Sequence, residues 1–347
     1  MMSATTNVLA IVVSLLLFSP AIAVTHQTDA TRLSATLSAW PGGMIIDHNW
    51  IDVGKITHAQ LQSVFEKVRV HYAHTSHGGQ ITIGLDRLES ANATLSVARG
   101  SNSLPSEDNA LCIYDGNDGQ SYITPDLYWQ TEEGLNMTQN TLDNNPAITV
   151  SLWSWCTQLN YYTEEQTQEY LDAMAFLESR NPNVTFVYMT GNAQATGEDG
   201  YNRWLRNEQI RQYCRDNNKI LFDFADLDSW SNGEQATYEY TVGGTTYNIP
   251  VEHEDFHGSE AGHTTYTSCE QKARAFWWLA VMIASGVTSQ TTTQSSTTTS
   301  SPSSSTSTTM STTYADIAQL LSSPTFFTLL LVGGIVVAAI VITRRGR

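Results

Sequence analysis

Ile148-Thr149-Val150-Ser151-Leu152-Trp153, a helical stretch over 163–179, then Asn183-Val184-Thr185-Phe186-Val187-Tyr188-Met189: this run decides the fold. Its outer pieces are short, apolar and rich in β-branched residues, the composition of strands buried on both faces. Between them Thr163 stands as an N-cap, Glu165 lies near the first turn, and Tyr170, Met174 and Leu177 share one face at helical spacing. Working outward, 59–68 reads as a short amphipathic helix and 68–73 as a strand. On the other side, 202–217 reads as a helix and 220–225 as a strand. A last helix over 269–284 carries Phe276, Trp277 and Trp278. Strands alternating with helices imply a mostly parallel sheet in a three-layer α/β/α sandwich, with 68–73, 148–153, 184–189 and 220–224 in one sheet. The stretch 85–145 has weak periodicity and many turn residues, and reads as an insertion shaping a pocket. Residues 238–249, with Gly243-Gly244 between alternating runs, read as a β-hairpin.

A parallel sheet places its site just beyond the carboxyl ends of its strands. Ser76, the 153–158 turn and Gly191-Asn192 all follow strands, so they are expected to line one crevice. Two stretches hold six of the nine histidines: His71-Tyr72-Ala73-His74-Thr75-Ser76-His77-Gly78-Gly79 and His253-Glu254-Asp255-Phe256-His257-Gly258-Ser259-Glu260-Ala261-Gly262-His263. The first supplies a serine at a strand end, and the second a histidine beside two carboxylates. A serine hydroxyl becomes an effective nucleophile when a base takes its proton and a carboxylate orients that base. Ser76 as nucleophile, His257 as base and Glu254 or Asp255 as the acid therefore make a candidate triad. His77 is expected to face the site and His74 to pack away from it, since side chains alternate along a strand.

The chain ends have their own signature. An apolar run from Val8 to Phe18, then Pro20 and Ala21-Ile22-Ala23, reads as a secretory signal over 1–23. Residues 287–313 contain 22 Ser or Thr and no charge, the composition of an extended, O-glycosylated stalk. The apolar segment 324–343 is long enough to cross a bilayer, and Arg344, Arg345 and Arg347 follow it, which places a basic tail (344–347) in the cytoplasm. The expectation is a single-pass cell-surface protein whose domain, 24–286, faces outward. That domain carries 33 acidic against 14 basic residues, which argues against nucleic acid as a partner. Cys112, Cys156, Cys214 and Cys269 are widely spaced; outside the cell they could form two disulfides, and unpaired core cysteines are the alternative. Asn92, Asn136 and Asn183 begin glycosylation sequons.

Strand order and two motifs together resemble the SGNH (GDSL-like) hydrolases over about 230 residues, 53–286. One motif is Thr75-Ser76-His77-Gly78-Gly79, where a serine at a strand end leads into a helix. The other runs from Glu254 to His263 and is similar to the family's acid-x-x-His followed by a helix start. The resemblance implies an ester or acetyl-ester hydrolase with Ser76 as nucleophile, His257 as base and Glu254 at the acid position. The sequence departs from the family in having no Gly-Asp-Ser, and in carrying Ser154-Trp155-Cys156-Thr157-Gln158 where Gly-x-Asn-Asp is expected. Gln158 or Asn192 would then replace the missing oxyanion asparagine.

Other readings stand beside this one. His74, His77, His253, His257 and His263 with Glu254 or Asp255 offer ligands for zinc, although no HExxH-like spacing is present. Nine Trp and fifteen Tyr would suit a surface module that binds glycan or protein without catalysis. Asp115-Gly116-Asn117-Asp118-Gly119 reads as a turn ahead of a calcium loop. Asp223, Asp226 and Asp228 read as turn caps after the fourth strand. The motifs call for no cofactor, and the expected substrate is an extracellular ester on glycoconjugate, polysaccharide or lipid.

Overall fold

The computed structural model describes residues 42–101 and 103–288. Their centre is a seven-stranded parallel sheet: β1 (Ile45–Ile46), β2 (Arg69–His74), β3 (Val97–Gly100), β4 (Leu111–Asp115), β5 (Val150–Ser154), β6 (Thr185–Met189) and β7 (Ile220–Phe222). The spatial order is β1-β7-β6-β5-β2-β4-β3, and every pair is parallel. Helices α1 (His58–Lys67), α2 (Gly79–Ala91) and α7 (Tyr266–Ala284) pack together. Helices α3 (Glu132–Asn144), α4 (Glu164–Arg180) and α5 (Gly197–Asp216) form a second packed set. A short α6 (Phe224–Ser229) follows β7. This is the three-layer sandwich expected from the strand–helix alternation.

Local chemistry explains the boundaries. Thr163 caps α4 through a capping box whose partner is Gln166, the third helical residue. Thr57 and Gln60 repeat the device at α1. The stretch 85–145 is no insertion. It finishes α2 and adds β3, β4 and α3, so the sheet gains two strands on the far side of β2. β3 gives a weak signal because it is only four residues long and borders the sheet, while β4, five residues and apolar like β5, is flanked on both sides by turn residues that obscure it. The hairpin forms as expected, with 237–242 paired antiparallel to 245–250 across Gly243-Gly244.

The membrane-spanning expectation finds no counterpart among the described residues, where no helix is long and apolar enough to cross a membrane. The apolar helix they do contain, α7, buries its face in the core and carries Glu270, Lys272 and Arg274. The segment 324–343, the leader 1–23, the stalk beyond residue 288 and the tail 344–347 lie outside the described residues. All four cysteines are free; Cys112, Cys214 and Cys269 are buried, and Cys156 is half-buried.

The sheet order also locates the crevice. The chain leaves β4 on one side of β2 and returns at β5 on the other. Helix α2 then packs in one layer and α4 in the other, so a switch point lies between β2 and β5. The register pairs His74 with Ser154 at the ends of these two strands. Two residues farther along each chain stand Ser76 and Cys156.

Candidate active site

The turn after β5 is built on an aromatic floor. Trp155 Nε1 donates to the Met189 carbonyl at 2.9 Å, and Trp153 Nε1 to that of Ile123 at 2.8 Å. Trp129, Tyr162 and Tyr170 pack against them, with Trp155 and Tyr170 centroids 4.7 Å apart. Above this floor the Cys156 backbone is held at both ends. Its N–H donates to Gln158 Oε1 at 2.7 Å, and its carbonyl accepts from Asn192 Nδ2 at 2.6 Å. The two candidate oxyanion side chains are thus committed to fixing the cysteine.

The turn after β2 brings its side chains to the same thiol. Gly78 packs so closely that a Cβ there would lie 2.3 Å from His74 Cβ, and Tyr72 Oη donates to its carbonyl. Ser76 Oγ lies 3.4 Å from Cys156 Sγ, and His77 Nδ1 lies 3.0 Å from it. Helix α2 begins at Gly79, and the backbone N–H groups of Ser76, His77 and Gly78 make no hydrogen bond among the described residues. These are the orphan donors of a helix start, where partial positive charge gathers.

Behind His77 the polarity of each bond can be worked out. Gln194 Nε2 donates to Glu252 Oε1 at 3.0 Å and to the His263 carbonyl at 2.8 Å. Two acceptors fix the amide's orientation, so Oε1 faces His77 Nε2, 2.9 Å away. That ring nitrogen must carry a hydrogen, which leaves Nδ1 for the thiol. Burial alone would push the Cys156 thiol up, but hydrogen bonds from His77 and Ser76 and the charge of His77 outweigh it and bring it down to about 6. Burial pulls His77 down, and its bonds to Cys156 and Gln194 outweigh that and raise it above its ordinary value. Both shifts favour a thiolate–imidazolium pair near neutral pH.

Glu252 is buried and also accepts from Thr264 Oγ1 at 3.1 Å. Burial and the nearby Asp228 raise its pKa. Asp228 Oδ2 accepts from the Ala193 N–H, and Oδ1 pairs with Lys272 Nζ at 2.7 Å; both side chains are essentially inaccessible. The His263 ring packs on His77 with centroids 4.9 Å apart. Its loop presses on the serine turn: Gly262 has φ of +53°, and a Cβ there would meet Ser76 O at 2.9 Å.

The other sequence-derived candidates take different partners. His257 Nε2 bonds to the Glu252 carbonyl at 3.2 Å. Asp255 Oδ2 accepts from Ser231 and Asn232, and lies 3.4 Å from His253 Nδ1. The Glu254 carbonyl accepts from the His257 N–H. Among the described residues no hydrogen bond joins His257 to Ser76, or to the carboxylate of Glu254 or Asp255. His74 bonds to Asp115 at 2.9 Å. Asn117, within the glycine-rich run, donates to Leu127 and Thr138, as in an ordinary turn.

Three residues central to this constellation escaped the sequence reading: Cys156, Gln194 and Glu252. Cys156 carries a usable signal, a cysteine two residues past a buried strand, although against the SGNH motif it stands only as a departure. Gln194 and Glu252 carry no motif; only the fold brings them together. No family model matches the chain, and no curated protein matches it. The SGNH likeness accordingly rests on the sequence motifs alone.

Proposed function

We propose that the protein is a cysteine-dependent acyl hydrolase acting on esters, with Cys156 as nucleophile and His77 as its acid–base partner. The observation that carries this reading is the 3.0 Å contact between His77 Nδ1 and Cys156 Sγ, with the ring's other nitrogen oriented by Gln194. Cys-His pairs held by a third group are a recurrent solution for acyl transfer. The thiolate adds to the acyl carbon, and the carbonyl oxygen gains the charge. The unbonded N–H groups of Ser76, His77 and Gly78 supply donors for that oxyanion. Collapse of the adduct expels the alcohol, which takes the Nδ1 proton of His77. Water then gives a proton back to His77 as it attacks the thioester, releasing the acid and restoring the thiolate. Ser76 Oγ steadies the thiolate through its own contact. The acidic balance of 24–286 disfavours anionic substrates and leaves neutral or cationic esters as the class that can approach.

Ser76 as the nucleophile is the second reading, favoured by its position at the carboxyl end of β2 within reach of Cys156. Iodoacetamide tests the cysteine mechanism. With Cys156 as nucleophile, alkylation of that thiol and loss of activity on an aryl acetate proceed together, and both rates rise with pH through about 6. Full activity after complete modification of Cys156 would refute the cysteine mechanism.

A further inference from the structure

A second group of ligating side chains lies past the carboxyl ends of β1 and β7. Asp47 and His48 directly follow β1, and Asp226 lies in α6 after β7. One ligand atom from each falls within 4.8 Å of the other two. First-row divalent cations with bonds of about 2.1 Å span roughly 4 Å between opposite ligands, so small side-chain adjustments suffice. Three strand spacings separate β1 from β5, about 14 Å at the usual interval, so the group is distinct from the Cys156 crevice.

The charges around it are uneven. Arg211, the neighbouring cation, is spent on Asp223 through two bonds of 2.6 and 2.7 Å, and on Glu208. Asp47 and Asp226 are left with His48 between them. Asp226 Oδ1 accepts from both the backbone N–H and Nδ1 of His48, at 2.8 and 2.6 Å, and its Oδ2 makes no hydrogen bond among the described residues. Asp47 spends Oδ1 on Asn49 and likewise leaves Oδ2 without one. The His48 ring is held against Trp230, with centroids 4.0 Å apart and planes 13° from parallel. Two carboxylates with free oxygens and one immobilised imidazole form a donor set of nitrogen and oxygen without sulfur.

We infer that Asp47, His48 and Asp226 form a binding site for a divalent transition-metal cation. The 2.6 Å bond between His48 Nδ1 and Asp226 Oδ1 already brings the ring and this carboxylate together. Carboxylate and imidazole together suit manganese-like ions, which do not compete for the Cys156 thiolate. The ion's role follows from its position. Strand β1 has only two residues, and a cation joining 47 and 48 to Asp226 would fasten this edge strand to the body of the sheet.

The test uses Mn²⁺ with the full chain. Mn²⁺ should bind, raise the thermal midpoint, and show ligand-nitrogen coupling in pulsed electron paramagnetic resonance. Asp47→Asn keeps an acceptor for Asn49 and should weaken binding by at least about tenfold, as loss of a metal-supporting group commonly does. His48→Ala should abolish the nitrogen coupling. If His48→Ala fails to fold, the Asp47→Asn comparison alone decides. Absence of Mn²⁺ binding to the wild-type protein, or equal affinity in Asp47→Asn, overturns the site. The second outcome would move the ion to another acidic face, such as that of Asp118, Glu132 and Glu133.

Discussion

His77 Nδ1 lies 3.0 Å from Cys156 Sγ, although the two residues are 79 positions apart. The contact follows from the β2–β5 register, which ends with His74 opposite Ser154 and sets the two following turns side by side. What distinguishes the pair from a chance encounter is the chain behind it, from His77 through Gln194 to buried Glu252.

Gln194 sets the hydrogen on His77 Nε2. Replacing it with Leu keeps the volume and removes the acceptor, so both ring hydrogen positions become available. The Cys156 thiol, at about 6 in the native protein, should move upward toward the ordinary value near about 8.5. The pH dependence of iodoacetamide alkylation reads this directly. A purely structural Gln194 would lower the thermal midpoint and leave that profile in place.

Lys272 and Asp228 form an ion pair deep in the protein, and Asp228 also holds the Ala193 N–H next to Gln194. Lys272→Met strands a buried carboxylate. The expected cost is about 3–5 kcal/mol in urea unfolding, because removing one partner leaves the other's charge uncompensated. A loss below about 1 kcal/mol, the range of an exposed pair, would show that the charges are solvated.

The sequence made the architecture legible because the fold depends on local signals. β5, α4 and β6 are a strongly patterned βαβ unit, and the remaining central strands share that pattern. β3 is too short to show a period, and β4, though as long as β5, sits among turn residues that break the strand–helix alternation around it. The site was half legible. Ser76, His77 and Asn192 were expected in one crevice, and the structure gathers them around Cys156. The acids before His257 single it out in the sequence, yet it bonds to a backbone carbonyl, and the carboxylate linked to His77 through Gln194 is that of Glu252. Whether a carboxylate lies behind a given imidazole is decided by loop geometry across more than a hundred residues, and adjacency in sequence does not report it.

His71 should make the fold acid-sensitive. It is fully buried; Nε2 donates to the Gly116 carbonyl, and Nδ1 accepts from Ser151, which accepts from Tyr128. Desolvation lowers its pKa to about 4, against bonds that push the other way. Unfolded, the ring protonates near about pH 6.5, so between there and pH 4 the unfolded chain holds more protons than the folded one. Stability should therefore fall as the pH drops through this window. His71→Gln should be less stable at pH 7 but show a flatter slope from pH 6.5 to 4.5. Equal slopes would assign the acid sensitivity to other groups.

With Cys156 as nucleophile, the acyl group passes through its sulfur. Wild-type protein, Cys156→Ala and Ser76→Ala should be mixed with an aryl acetate, quenched in acid within the first turnover, and mapped by mass spectrometry. An acetyl group is expected on Cys156 in wild type and in Ser76→Ala. None is expected in Cys156→Ala, with turnover reduced at least about a thousandfold. An acetyl group on Ser76, with Cys156→Ala retaining turnover, would contradict the cysteine mechanism.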